Sequence, residues 1–142
     1  MKISARTEYA CIAILELAAR YGSSDPARVR ELVEGHEIPA RFLVQILLQM
    51  KAAGFVSSTR GASGGYQLNR PPDKITLAAV MAAIDGPAEI RLSNPSSETP
   101  MTRALRNVWG EATSAQQQVL ASVTVAELLD HSRDVGQPMY YI

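Results

Sequence analysis

The sequence is short of the residues that metal clusters, disulfides and membrane spans require. It contains one cysteine, Cys11, in 142 residues. That excludes an internal disulfide and an all-thiolate metal cage within one chain, and it fits a reducing compartment. Its two histidines, His36 and His131, have no metal-ligand partner at useful spacing and read as surface residues. No run approaches the roughly 18 apolar residues of a membrane span. The opening MKISARTEYA has no apolar stretch of a secretory signal, so a cytoplasmic location is expected. No Ser-His-Asp or Cys-His arrangement is suggested by local context, and no enzyme is expected. Net charge is also missing, since 14 basic residues balance 14 acidic ones.

What is present is a core and an uneven charge distribution. Apolar residues make up 46 % of the chain, enough for one globular domain or one domain with an attached helix. Residues 1–74 carry ten Lys/Arg against seven Asp/Glu; residues 75–142 carry four against seven. From Ile38 to Pro72 there are four basic residues, Arg41, Lys51, Arg60 and Arg70, and no acid.

Periodicity divides the chain into elements. Over 4–21, Ala10, Ile14, Leu17, Ala18 and Tyr21 form one helical stripe, with Ser4 as cap and Gly22 as stop. A short helix is expected over 27–34, with Val29, Leu32 and Val33 inward. A third runs from Pro39 to Gly54, with Phe42, Leu43, Ile46, Leu47 and Met50 buried. The period then shortens: FVSST and YQLNR flank a glycine-rich tip and read as a hairpin, ended by Pro71-Pro72. Thr76 caps a fourth helix that stops at Gly86-Pro87. Residues 88–100 read as a linker. A long helix follows from about Met101 to Val123, then a short one opened by the TVAE capping box at Thr124, and a tail ending in MYYI.

Three helices and a hairpin make a winged helix-turn-helix, so the expected fold class is mainly α with a small β-hairpin. The expected division is 1–87 for DNA binding, 88–100 as linker and 101–142 for dimerisation and tail. In the long helix Met101, Leu105, Val108, Ala112, Ala115 and Val119 are spaced 4, 3, 4, 3, 4, a heptad-like seam. Trp109 falls near it, for core or dimer packing.

The third helix keeps Arg41, Val44, Gln45 and Leu48 on its other face. Arginine pairs with guanine, glutamine with adenine, and an apolar side chain touches a thymine methyl. A solvated helix face is the plainer alternative. In the tip RGASGGYQLNRPP, Arg60 suits a narrow minor groove over A·T pairs. The amides of Gly64 and Gly65 and the Ser63 hydroxyl suit phosphates, as do Lys51, Arg70 and Lys2. A nucleotide phosphate loop fails, because no helix and no Lys-Ser/Thr follow the glycines. A ligand-free turn remains the bland alternative.

These stretches carry a resemblance. EYACIAILELA, RELVEGHEIPARFLVQILLQMKAAGFVSS, RGASGGYQLNRPPDKITLAAVMAAIDGP, LRNVWGEA and VTVAELL resemble the Rrf-type family of bacterial winged-helix transcription regulators, which includes IscR-, NsrR- and CymR-like members. The resemblance implies a homodimer joined through the long helix on a roughly palindromic operator, expected to act as a repressor. It gives the minor groove to Arg60 and the major groove to Arg41 and Gln45. Cluster-binding members carry three cysteines, often with a histidine, where this chain has Arg91, Ser97, Arg103 and Arg106. No iron–sulfur cluster or other cofactor is therefore expected. The second helix opens with Arg28 where the family usually has a Ser or Thr cap.

Cys11 reads as a small buried residue, with a redox thiol as the alternative. Arg91, Arg103 and Arg106 read as solvated, salt-bridged residues, with an anion pocket as the alternative. A signal is expected to enter through the linker and long helix, as a small ligand, a partner protein or a thiol change. The alternative function is a winged-helix interaction module that has lost DNA binding and docks a protein on Val44 and Leu48.

Overall fold

The computed structural model describes residues 1–88 and 98–135. Six helices and one hairpin follow in order: α1 (Ala5–Ala19), α2 (Val29–Val33), α3 (Ala40–Ala52), β1 (Val56–Thr59), β2 (Gly65–Leu68), α4 (Leu77–Asp85), α5 (Pro100–Ser122) and α6 (Val125–Val135). Most of the expected 88–100 linker, with Arg91 and Ser97, lies outside the described residues, as does the MYYI tail.

The expected caps are in place. Ser4 Oγ accepts the Thr7 amide at 3.1 Å, Thr76 Oγ1 that of Ala79 at 3.1 Å, and Thr124 Oγ1 that of Glu127 at 3.1 Å. Each satisfies a helix N–H that has no partner within its own helix. Gly54, at φ +86°, follows the end of α3 in a conformation that other residues rarely adopt.

Ala10, Ile14 and Leu17 of α1 meet Leu43, Ile46, Leu47 and Met50 of α3, all buried. Fully burying one such side chain contributes about 1.5–3 kcal/mol. Leu32, Ile75 and Val80 extend the core, and Val125 joins it from α6. The last helix thus packs back on the first part of the chain. The Leu77 amide donates to Val123 O at 2.9 Å and the Val125 amide to Ile75 O at 2.8 Å.

Three expectations change. Tyr21 is 48 % exposed, because α1 ends at Ala19 and a tyrosine in the following turn no longer follows its stripe. Phe42 is also 48 % exposed. It lines a cavity of about 320 Å³ beside the first turns of α1, with Ala5, Arg6, Tyr9, Gln45 and Ile46. The second helix is shorter than 27–34, because Ala27 is taken by a β-bridge to Tyr66 and Glu34 is extended.

Candidate nucleic-acid interface

The third helix is α3, and its outer face holds the expected side chains. Arg41, Val44, Gln45 and Leu48 are all exposed. The Arg41 guanidinium lies 5.5 Å from the centre of the Phe42 ring, a cation–π contact that steadies it beside that exposed aromatic. The set is therefore more apolar than expected, with Phe42 added to Val44 and Leu48.

Side-chain ties fix the orientation of α3. Gln49 Nε2 donates to the carbonyls of Ala83 at 3.1 Å and Ile84 at 3.3 Å, and its Oε1 accepts from Arg6. Those carbonyls belong to the last turn of α4, which has no helical donors for them. At the turn before α3, His36 Nε2 lies 2.9 Å from Glu16 Oε1, and Arg20 is 2.7 Å from Glu16 Oε2. Burial alone would raise the Glu16 carboxyl; the hydrogen bonds and charges of Arg20 and His36 take it below its ordinary value. His36 is thus half-buried and pinned to α1 rather than a free surface residue. His131 is exposed.

The wing is the antiparallel pair β1–β2, with Val56 opposite Leu68 and Thr59 opposite Gly65. It has a third partner that the sequence reading missed. Ala27 N donates to Tyr66 O at 2.9 Å, and Tyr66 N to Ala27 O at 2.7 Å. Gln67 Nε2 donates to Ser23 O at 3.1 Å. Arg28 donates to Ala62 O in the tip, while its own amide is held by Glu31 Oε1 at 3.3 Å.

These contacts explain two of the glycines. A Cβ on Gly65 would stand 2.4 Å from Ala27 O, and one on Gly64 would stand 2.1 Å from Thr59 O. The Gly64 amide donates to Gly61 O at 3.0 Å, so the expected Gly64 amide–phosphate bond is corrected: that donor is already used. Gly64 and Gly65 are required by close backbone packing. Ser63 and Arg60 remain exposed.

Arg41, Lys51, Arg60 and Arg70 are all exposed and differ only in what they touch. Arg70 stacks 4.7 Å from the Phe55 ring centre and lies 3.5 Å from Ala53 O, beyond the end of α3. Lys51 Nζ donates to Ser58 Oγ at 2.7 Å, tying α3 to β1. Lys2 lines a cavity between α4 and α5. Arg103 pairs with Glu98 at 3.3 Å, as the solvated reading expects. Arg60 enters no ion pair among the described residues.

Cys11 is only partly exposed. Burial, then the charges of Asp85 and Glu8, push its thiol up to about 11. A thiol held protonated is a poor nucleophile and a poor redox sensor at neutral pH.

On α5, Met101 is 81 % exposed, Leu105 50 %, Val108 62 % and Val119 62 %, and Ala112 and Ala115 are exposed with them. Trp109 is 45 % exposed. The whole seam faces outward in the single chain.

Comparison with known proteins agrees with this architecture. The profile of the Rrf2 family, described as iron-dependent transcriptional regulators, matches residues 3–131. The chain belongs to the Rrf2 family. It is 30 % identical to the HTH-type transcriptional regulator CymR of Bacillus subtilis, over the full length of both chains. The solved structure of that global cysteine regulator superposes with a TM-score of 0.80 at 29 % identity, covering 92 % of this chain and 98 % of that one. The structure of T. potens IscR gives 0.79 at 26 % identity, covering 99 % and 97 %. Like these Rrf2 relatives, the chain is a DNA-binding transcription regulator with a winged-helix fold.

Iron in the family description raises the question of whether these residues fit it. They do not. Iron–sulfur clusters need several thiolates, with histidine replacing some at most, and the sequence has one cysteine. Among the described residues no group of three or more His, Cys, Asp and Glu is placed to hold a metal ion. No helix of the described residues is long and apolar enough to cross a membrane.

Proposed function

We propose that this Rrf2 member is a homodimeric, sequence-specific cytoplasmic repressor that works without an iron–sulfur cluster. The observation that carries the DNA-reading part is a set of exposed basic residues on one acid-free stretch of chain. Between Ile38 and Pro72 there is no Asp or Glu, and Arg41, Lys51, Arg60 and Arg70 are all exposed, Arg41 on the outer face of α3 and Arg60 on the wing. Arg41 and Gln45 read base edges in the major groove, and Val44 and Leu48 contact thymine methyls. Arg60 enters the minor groove and Ser63 contacts a phosphate. The exposed seam from Met101 to Val119 is covered by the same seam of a second copy, which sets two reading heads on a near-palindromic site. Repression follows if the bound dimer blocks the polymerase.

The cluster-free part rests on the single cysteine and on Arg103 and Arg106 standing where the family resemblance places cluster ligands. A second reading, docking of a protein on α3, is favoured by the exposure of Phe42 together with Val44 and Leu48.

The test is DNA selection by metal-free protein from a random duplex pool, followed by titration of wild type and Arg60→Ala over a salt series. Selective binding that weakens steeply with salt, and weakens further in Arg60→Ala, supports regulation without a cluster. Absence of any preferred sequence at every salt supports the docking reading.

A further inference from the structure

We propose that Arg28 is a positioning residue for the wing, latching the hairpin tip to the start of α2 so that Arg60 meets DNA in one pose. This rests on the minor-groove reading of Arg60. An arginine is a poor residue at a helix start, where a small acceptor side chain is preferred and the dipole repels cations. Here the guanidinium donates to Ala62 O, 34 residues along the chain. Its own starting point is fixed, because Glu31 Oε1 holds the Arg28 amide.

The bond is one of three ties along the same edge of the hairpin. Gln67 is tied to Ser23, Tyr66 to Ala27, and Ala62 to Arg28. The first two clamp β2, with Gly65 packed against Ala27 too closely for any Cβ. Only the third reaches the tip. Without it, residues 60–64 are closed by the bond from the Gly64 amide to Gly61 O. Arg60 stands two residues before the latched carbonyl. Holding that carbonyl limits the arcs open to Arg60 and lowers the ordering cost met on binding.

The experiment uses duplexes recovered from a random pool by the wild-type protein. Partner duplexes have the wing-facing A·T pairs changed to G·C. Wild type, Arg28→Ala, Arg28→Lys, Arg60→Ala and the Arg28→Ala/Arg60→Ala double variant are titrated over a salt series. Gly64 amide exchange is followed by NMR in the DNA-free full chain.

Arg28→Ala is expected to weaken the A·T preference about three- to tenfold, the range of one hydrogen bond. It leaves the salt slope unchanged and speeds Gly64 exchange. The loss vanishes in the Arg60→Ala background, and Arg28→Lys, which keeps a donor, restores most of it. A salt slope reduced by about 0.9 with unchanged preference would make Arg28 a phosphate contact and overturn the proposal. Unchanged Gly64 exchange would overturn it too. If Arg60→Ala changes no preference, the minor-groove reading fails and the proposal falls with it. Exchange measured without DNA then tells the two failures apart, because it reports on the latch alone.

Discussion

The wing and the long helix satisfy their surfaces in opposite ways. The hairpin is only two four-residue strands, yet its own chain holds it at every level. Backbone bonds from Ala27, side-chain bonds from Arg28, Gln67 and Lys51, and close glycine packing tie it to the rest of the chain. The 23-residue α5 is regular and long, yet most of its apolar residues face outward. A short hairpin has too little apolar area to hold itself and depends on neighbours. A helix bonds its own backbone internally, so it leaves no unpaired strand edge even where its apolar face is uncovered. The wing's partners come from its own chain, while the apolar face of α5 stays uncovered in the single chain.

The largest effect should come from the incomplete part. Val108→Glu is expected to weaken self-association by about 100-fold or more, since each dimer would bury two unpaired carboxylates. Sedimentation equilibrium reads this directly. The fold of the single chain should change little, because Val108 is 62 % exposed there. An undiminished dimer would mean that something else covers the seam.

Next comes the wing. Gly64→Ala forces a Cβ to within 2.1 Å of Thr59 O and should cost about 2–4 kcal/mol in urea denaturation. Gly61→Ala has open space but keeps φ +104°, and should cost only about 1–2 kcal/mol. Equal costs would show that the tip is loose and would remove the contrast with α5.

A third test probes the seal of the core on the α1 side. With the Cys11 thiol at about 11 instead of the ordinary 9.0, the thiolate fraction at pH 8 falls roughly 100-fold. Alkylation of the native protein should slow in proportion and recover in denaturant. A fast native reaction would return Cys11 to the list of sensors.

The smallest effect is expected at His36. His36→Ala should cost about 0.5–1 kcal/mol at pH 7, the range for a partly exposed pair. Glu16 has a lowered carboxyl, so its contribution is full above the ordinary carboxylate range. It is lost as pH falls through the lowered value, and the gap between wild type and variant should close in acid. A cost independent of pH would assign His36 a packing role only.

Much of this was legible in the sequence because it depends on neighbours a few residues away. Ser4, Thr76 and Thr124 cap their helices through an amide three residues on, a distance the chain itself sets. The stripe Leu43, Ile46, Leu47 and Met50 follows from helical period, and the hairpin from β-prone runs around glycines. The outer face of α3 followed by subtraction. Phe42 broke that subtraction, because only the place where α1 begins decides how much of the ring is covered.

The sequence by itself determined the order and type of the elements, the caps, the seam on α5 and the shortage of thiolates. All of these follow from local backbone preference, periodicity or composition. Only the tertiary structure decided that Ala27 would become a third partner of the wing, that Arg28 would reach Ala62, and that His36 would meet Glu16. It also paired Lys51 with Ser58 and stacked Arg70 on Phe55. Those contacts join residues as far as 39 positions apart. Nothing in local preference marks such pairs; they exist because packing the core brings them together, and the polar groups left at its margin then take the partners within reach.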